Sequence, residues 1–393
     1  MKSLLISHIY FPPQVGGISR FLECLTAAMG PERICCLTGV PAAPNGLPAS
    51  GSPVVYRSPR IFSGSSKVTR ALSWTRTMGS IMLRERPRTV LLGTVYDGPY
   101  GTWLHRWLNL PYVALAYGNE ILGILNRDRG LEGHGGAWLR GASRVIAVSE
   151  FTAGLVQRAG VEPHRIVVAY PGCDSAHFSP RPPNAGLRRR LLGDRAPGPV
   201  LLTTGNLVPR KGHDMVIRSL MAVRARVPDV TYLVVGDGPH RAELAALAVA
   251  QGVREQVVFA GQATDEELPD LYALADLFVM ASRERENESD VEGFGIVFLE
   301  AAACGKPVVG GRSGGIPEAL VHGETGWLVD PSDPAQIAEA IVRVLADRES
   351  ASRMGERGRA RVVRSFTWDE TARRVQEVMG TTVEARKGHY AKG

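Results

Sequence analysis

Two carboxylates, Glu292 and Glu300, stand eight residues apart in Asp290-Val-Glu-Gly-Phe-Gly-Ile-Val-Phe-Leu-Glu300. A glycine-rich turn and an apolar helical start separate them. If a helix begins near Gly295, its first N–H groups lack intrahelical partners and aim the positive end of the helix dipole between the two acids. One carboxylate could then hold sugar hydroxyls and the other the ribose hydroxyls of a nucleotide. The loop backbone would take the diphosphate between them. An acidic helix N-terminus is common and explains the acids alone. It leaves Gly293 and Gly295 unexplained, together with the Ala301-Ala-Ala-Cys-Gly-Lys-Pro-Val-Val that follows.

A second candidate is Gly205-Asn-Leu-Val-Pro-Arg210-Lys211-Gly212, which follows an apolar run and precedes a helical one. Two adjacent cations at a strand's carboxyl end suit a diphosphate, although a solvated loop fits this segment equally well. Val235-Gly-Asp-Gly-Pro239 is a further strand end with a tight turn, placed to line the same site. A third candidate is the pair Gly16-Gly17, where the first strand's exit opens a helix and the backbone could approach an anion closely. It is not the G-x-G-x-x-G fingerprint, and no acid is well placed for a dinucleotide ribose, so a dehydrogenase is disfavoured.

These residues need strand ends to carry them. Leu4–Tyr10, Thr89–Val95, Tyr112–Ala116 and Arg144–Val148 read as buried strands of a first half, and Val200–Thr204, Thr231–Val235, Val257–Phe259, Leu277–Met280 and Pro307–Val309 as those of a second. Helical patterns such as Ile18–Met29, Asp214–Arg226 and Arg241–Gln251 alternate with them. Such alternation argues βαβ units and parallel sheets, which bind ligands beyond the carboxyl ends of their strands. At 393 residues two domains are expected, with a boundary at the proline-rich Ser179–Gly186. The expected division is an N-terminal domain at 1–180, a C-terminal domain at 181–368, and a last helix with a frayed tail at 369–393.

Composition narrows the class. Hydrophobic residues are 44% and charged residues 22%, which excludes a largely disordered chain. The net charge of +7 does not specify nucleic acid, but it permits an anionic ligand or membrane surface. Five cysteines with no C-x-x-C pair argue against a disulfide framework or a structural zinc site and fit a reducing cytosol. The apolar opening is cut by His8 and Pro12, so it reads as a first strand and not a signal peptide. No run approaches the ~20 apolar residues of a spanning helix. The most basic helical stretch, Ser65–Arg88, interleaves Lys67, Arg70, Arg76, Arg84, Arg86 and Arg88 with Leu72, Trp74, Met78, Ile81 and Leu83. It is either a solvated helix with one face on the core or a surface for anionic headgroups.

The E-x7-E of Glu292 and Glu300, the Ala-Cys-Gly-Lys-Pro-Val-Val after it, Ser313-Gly-Gly-Ile-Pro-Glu318 and Gly323-Glu-Thr-Gly-Trp-Leu-Val together resemble the GT-B glycosyltransferases of family 4, which retain anomeric configuration. The resemblance runs from Gly16-Gly17 to Trp368, most specifically in the C-terminal half. It implies an α/β fold of two Rossmann-like domains with parallel sheets facing an interdomain cleft, the last helix crossing back from about Phe366-Thr-Trp368. It gives Arg210 and Lys211 to the donor diphosphate and Glu292 to sugar hydroxyls near the reacting carbon. Backbone N–H groups from Gly293, Phe294, Gly295 and Ile296 would serve sugar or phosphate, and Glu300 the ribose. Gly16 and Gly17 would close on the phosphates. Pro171-Gly-Cys173-Asp174 with Phe178 matches the family's interdomain turn, with Cys173 in place of the usual valine. The chain departs at Tyr117-Gly-Asn-Glu120, where many members carry His-Gly-x-Glu, and at Gly205-Asn206, where many carry Gly-Arg. Glu120 survives and could orient an acceptor hydroxyl.

The implied reaction moves a hexose from a nucleotide-diphosphate sugar to a hydroxyl with retention, the leaving diphosphate oxygen taking the acceptor proton. No metal or cofactor is required, and Asp237 is only a remote candidate ligand. The Asp290–Val297 stretch is similar to that of bacterial phosphatidylinositol mannosyltransferases, which favours GDP-mannose as donor and leaves UDP-sugars open. Lipid-linked saccharide, glycolipid and polysaccharide all remain as acceptors, at the cytoplasmic side and with peripheral contact to the inner face of the cell membrane. Two other readings are a sugar-nucleotide epimerase of the same fold, which would convert donor alone, and a peripheral scaffold that has lost catalysis.

Overall fold

Runs of Val, Leu and Ile buried on both faces become the central strands of parallel sheets. In the computed structural model the described residues form thirteen strands: β1 Ser3–Ser7, β2 Ile34–Thr38, β3 Val54–Arg57, β4 Thr89–Leu92, β5 Tyr112–Ala116, β6 Arg144–Ala147, β7 Ile166–Val168, β8 Val200–Thr204, β9 Thr231–Val235, β10 Val257–Gly261, β11 Leu277–Met280, β12 Val308–Gly311 and β13 Gly326–Val329. The structure describes residues 1–14, 16–42, 52–63, 66–126, 131–193, 198–285 and 289–390, so Val15 of the first glycine turn, Ser65 of the basic stretch and the tail at 391–393 lie outside it.

The strands pair in two all-parallel sheets, ordered β3-β2-β1-β4-β5-β6-β7 and β10-β9-β8-β11-β12-β13. Helices connect them, as a doubly wound Rossmann-like fold requires. Two compact units result, Met1–Pro171 with Trp368–Gly393, and Gly172–Thr367. The proline-rich Ser179–Gly186 therefore lies inside the second unit. The turn preceding it is already bonded there: Cys173 N donates to Phe366 O at 2.9 Å, and the Phe178 ring meets Tyr272 edge-on at 5.8 Å. The last helix, Trp368–Tyr390, belongs to the first unit. Trp368 packs against Phe21 of the Gly17–Met29 helix with centroids 5.5 Å apart, and Thr371 Oγ1 donates to Tyr170 O at 2.8 Å.

Two strands end three residues before the apolar pattern suggests, for local reasons. The run from Leu4 leaves the ladder after Ser7, whose Oγ donates to Tyr10 O at 2.8 Å and starts a turn. The run from Thr89 stops at Leu92 because Thr94 caps a 3-10 turn, Val95–Asp97, through a reciprocal bond with the Asp97 carboxylate. Within the basic stretch, Lys67–Arg84 is a helix with Trp74, Met78 and Ile81 buried. Val68, Leu72 and Leu83 are exposed beside its cations. None of the five cysteines forms a disulfide. Among the described residues no helix is long and apolar enough to cross a membrane.

Candidate active site

The end of β8 leads through Gly205 to a 3-10 turn, Pro209–Lys211, closed by Gly212 at φ 70°. That left-handed conformation favours glycine, and a Cβ at Gly212 would overlap the Ala281 carbonyl at the end of β11. The turn is thus pressed against the next strand's exit, where Arg283 N donates to Arg210 O at 2.9 Å. Arg210 and Lys211 are set by backbone geometry, and neither is a solvated loop residue: their side chains are mostly buried.

Both cations converge on one carboxylate. Arg210 Nη1 lies 2.5 Å and Lys211 Nζ 2.6 Å from the same oxygen, Glu292 Oε2. Arg210 Nε also donates to Asp290 Oδ1 at 2.7 Å. Burial alone would raise the Glu292 carboxyl, but the Lys211 and Arg210 charges and hydrogen bonds outweigh it and hold it at about 2. Burial likewise opposes the Arg210 charge, and Glu292 and Asp290 reverse that and raise it. Two cations and two carboxylates thus form a mostly buried, charge-balanced cluster near the end of β8. Sequence placed Arg210 and Lys211 on one ligand group and Glu292 on another; the structure makes them partners of one another.

Beyond Glu292 the helix Ile296–Ala303 starts with Gly295 as its N-cap in the left-handed region at φ 92°. Gly315 N donates to Glu292 O at 3.0 Å, so the Ser313-Gly-Gly turn lies on the Gly293 backbone. Glu300, on the same helix, is buried. Its Oε2 accepts from Tyr272 Oη at 2.8 Å, and Tyr272 in turn meets Thr204 Oγ1 at the end of β8 at 2.9 Å. Asp237 is exposed and lies 4.0 Å from Arg241. Among the described residues no three His, Cys, Asp or Glu side chains are grouped to hold a metal.

In the first unit, Gly16 caps the Gly17–Met29 helix, and a Cβ on Gly16 or Gly17 would meet nothing within 4 Å. Gly16 nevertheless holds a backbone conformation that favours glycine, at φ 156°, whereas nothing local demands glycine at position 17. After β5, Glu120 opens the Asn119–Asn126 helix and is buried; its Oε1 accepts from Tyr117 N at 2.6 Å. Burial pushes its carboxyl up to about 7, against hydrogen bonds from the Tyr117, Glu120 and Gly118 backbone. Tyr117 Oη is buried with no hydrogen-bond partner among the described residues. Sequence reasoning missed Asp290, Tyr272 and Thr204 as supports, and the His8–Asp97 pair beside this region. Each pairs across a separation of 60 residues or more or sits outside any motif, so local spacing carries no sign of it.

The family model for Glycosyltransferase Family 4 matches residues 15–177, and that for Glycosyl transferases group 1 matches residues 189–361. The chain belongs to this glycosyltransferase family. It is 45% identical over 219 residues to the GDP-mannose-dependent α-(1-6)-phosphatidylinositol monomannoside mannosyltransferase of Mycolicibacterium smegmatis, across 55% of this chain and 56% of that enzyme. The glycosyltransferase chain thus spans about half the length of the mycobacterial relatives it matches. It is 28% identical to the GDP-mannose-dependent monoacylated α-(1-6)-phosphatidylinositol monomannoside mannosyltransferase of Corynebacterium glutamicum, across 96% of this chain and 97% of that one. Anabaena HepE, solved with UDP and glucose, superposes with a TM-score of 0.80 at 23% identity, covering 97% of this chain and 99% of that one. The two parallel sheets are those of the GT-B fold.

Proposed function

We propose that the protein transfers mannose from GDP-mannose to a hydroxyl of a phosphoinositide-type glycolipid, with retention of anomeric configuration. The observation that carries this reading is the cluster of Arg210, Lys211, Asp290 and Glu292, with both cations on one Glu292 oxygen. In it Arg210 and Lys211 bind the donor diphosphate and stabilise the charge that grows on it as the glycosidic bond breaks. Glu292, already ionised, holds sugar hydroxyls, and its two cations keep it oriented until the donor arrives. Glu300 holds the ribose, with Tyr272 fixing one of its oxygens. Backbone N–H groups from Gly293 to Ile296 add to the anion site, and those at Gly16 and Gly17, which open a helix of the first unit, also suit a phosphate. Glu120 orients the acceptor hydroxyl. The relatives' dependence on GDP-mannose and their phosphatidylinositol monomannoside acceptors support the choice of sugar, base and lipid.

The acceptor lipid places the enzyme at an anionic membrane, the inner face of the cell membrane in this reading. The Lys67–Arg84 helix supports that contact with exposed Val68, Leu72 and Leu83 among Lys67, Arg70, Arg76 and Arg84. Beside it, Trp74 meets the exposed Trp103 at 5.5 Å.

The test is incubation with labelled GDP-mannose and vesicles carrying phosphatidylinositol monomannoside. Label should enter the lipid and GDP should appear in equal amount, the new linkage being α by NMR. Transfer from UDP-glucose in its place would move the donor assignment. Conversion of donor without acceptor would favour an epimerase. Neither transfer nor conversion would favour a scaffold.

A further inference from the structure

The first unit contains a histidine whose ring is held by a fully buried carboxylate. His8 follows β1, and Asp97 follows the neighbouring strand β4. Asp97 is fully buried, with 0% of its side chain exposed, whereas the His8 side chain is 25% exposed. Four donors converge on the Asp97 carboxylate. Its Oδ1 takes His8 Nδ1 at 2.7 Å and His8 N at 3.1 Å, and its Oδ2 takes Thr94 N at 3.0 Å and Thr94 Oγ1 at 3.2 Å. An ionised carboxylate only accepts, so the imidazole carries its proton on Nδ1. In the neutral ring Nε2 is then left with a lone pair, a hydrogen-bond acceptor whose orientation the buried aspartate locks.

The surroundings suit a polyol on a lipid. The His8 ring stacks on Phe62 at 5.9 Å, Phe62 meets Tyr100 at 5.1 Å, Tyr100 meets Trp74 at 5.1 Å, and Trp74 meets Trp103 at 5.5 Å. An aromatic row therefore runs from His8 to a partly exposed tryptophan beside the basic helix. On the other side, burial and the charges of Glu120 and Asp97 raise both Tyr10 and Tyr117, which places both acids near both phenols. Tyr117 Oη, buried and without a hydrogen-bond partner among the described residues, is a second polar atom in this neighbourhood. The chain has this tyrosine where many family members carry histidine, and it has an imidazole two strands away in the same sheet.

We propose that His8, held by Asp97, accepts a hydrogen bond from the acceptor hydroxyl through Nε2, making the ends of β1 and β4 the acceptor subsite, with Asp97 as its positioning residue. No proton leaves the imidazole or joins it; the residue orients the hydroxyl for attack. The inference rests on the transfer reading above.

The experiment compares wild type, His8→Ala and His8→Gln with GDP-mannose and phosphatidylinositol monomannoside vesicles, and measures GDP affinity of each by calorimetry. Loss of a group that aligns the attacking hydroxyl should lower transfer by His8→Ala roughly 100-fold. GDP affinity should stay within about twofold, since the lost contact is not to the donor. His8→Gln, whose amide oxygen reaches the Nε2 position, should recover about tenfold of the loss, a rescue that a purely structural role would not give. Wild-type transfer with unimpaired His8→Ala overturns the subsite alone, as does a parallel loss of GDP affinity. Absence of transfer by wild type overturns the transfer reading and the subsite with it.

Discussion

Glu292 is kept ionised by two cations, Arg210 and Lys211, which the proposed reading also gives to the donor diphosphate. Removing either side should be costly: Glu292→Gln and Lys211→Ala should each lower the transfer rate at least ~100-fold, the scale of losing one preorganised charge partner. The same pairing predicts a pH dependence of folding. The folded Glu292 carboxyl sits at about 2, below its ordinary value of 4.5, so its stabilisation is present above pH 4.5 and is lost as pH falls toward 2. Urea denaturation of wild type against Glu292→Gln should show that loss, on the order of 3 kcal/mol. Glu120 runs the other way. Its carboxyl is raised to about 7, so the neutral form suits the fold, and the associated stability, full below pH 4.5, is lost as pH rises through 7. Glu120→Gln should therefore match wild type near pH 4.5 and exceed it at pH 8, again by up to about 3 kcal/mol, while impairing transfer. A stability difference that did not change across that interval would place Glu120 in a more solvated setting.

At the scale of elements, two glycine turns look alike in sequence and differ in the fold. Gly212 holds a positive φ and is pressed on the Ala281 carbonyl, whereas a Cβ on Gly17 meets open space. Gly212→Ala should lower stability by about 2 kcal/mol or more and disturb both cations. Gly17→Ala should leave the melting temperature nearly unchanged and raise the donor KM, about tenfold if phosphate approaches there. Equal thermal losses in the two variants would contradict this division. Much of this architecture was legible in the sequence. The central strands β5, β8, β9 and β11 coincide with apolar runs because parallel strands buried on both faces admit little else. Strand β2 escaped because Cys35, Cys36 and Thr38 dilute its run, and β3 and β7 because they are short edges. Sequence singled out Arg210, Lys211, Glu292 and Glu300 as candidates, and the structure brings the first three together. Their supports Asp290 and Tyr272 were not legible, since a bond between residues 80 or 28 positions apart leaves no local pattern.

For the whole molecule, a net charge of +7 and an exposed basic helix with apolar side chains predict weak, salt-sensitive membrane association. The protein should sediment with vesicles rich in anionic lipid at low salt and be released as the screening length falls below about 8 Å. Neutral vesicles should leave it in solution, and replacing Lys67, Arg70 and Arg76 with glutamine should do the same on anionic ones. Binding that survives 1 M salt would argue for insertion of apolar side chains instead.

The central claim, that the carboxyl ends of the second sheet hold a nucleotide-sugar donor, is tested most directly by the melting temperature with GDP. A ligand that binds only the folded state at about 100 times its Kd adds about 2.7 kcal/mol. Wild type should gain a clear upward shift with GDP, larger than with UDP or ADP, and Lys211→Ala should lose it. No shift with any nucleoside diphosphate, or a shift that Lys211→Ala retains in full, would contradict the account.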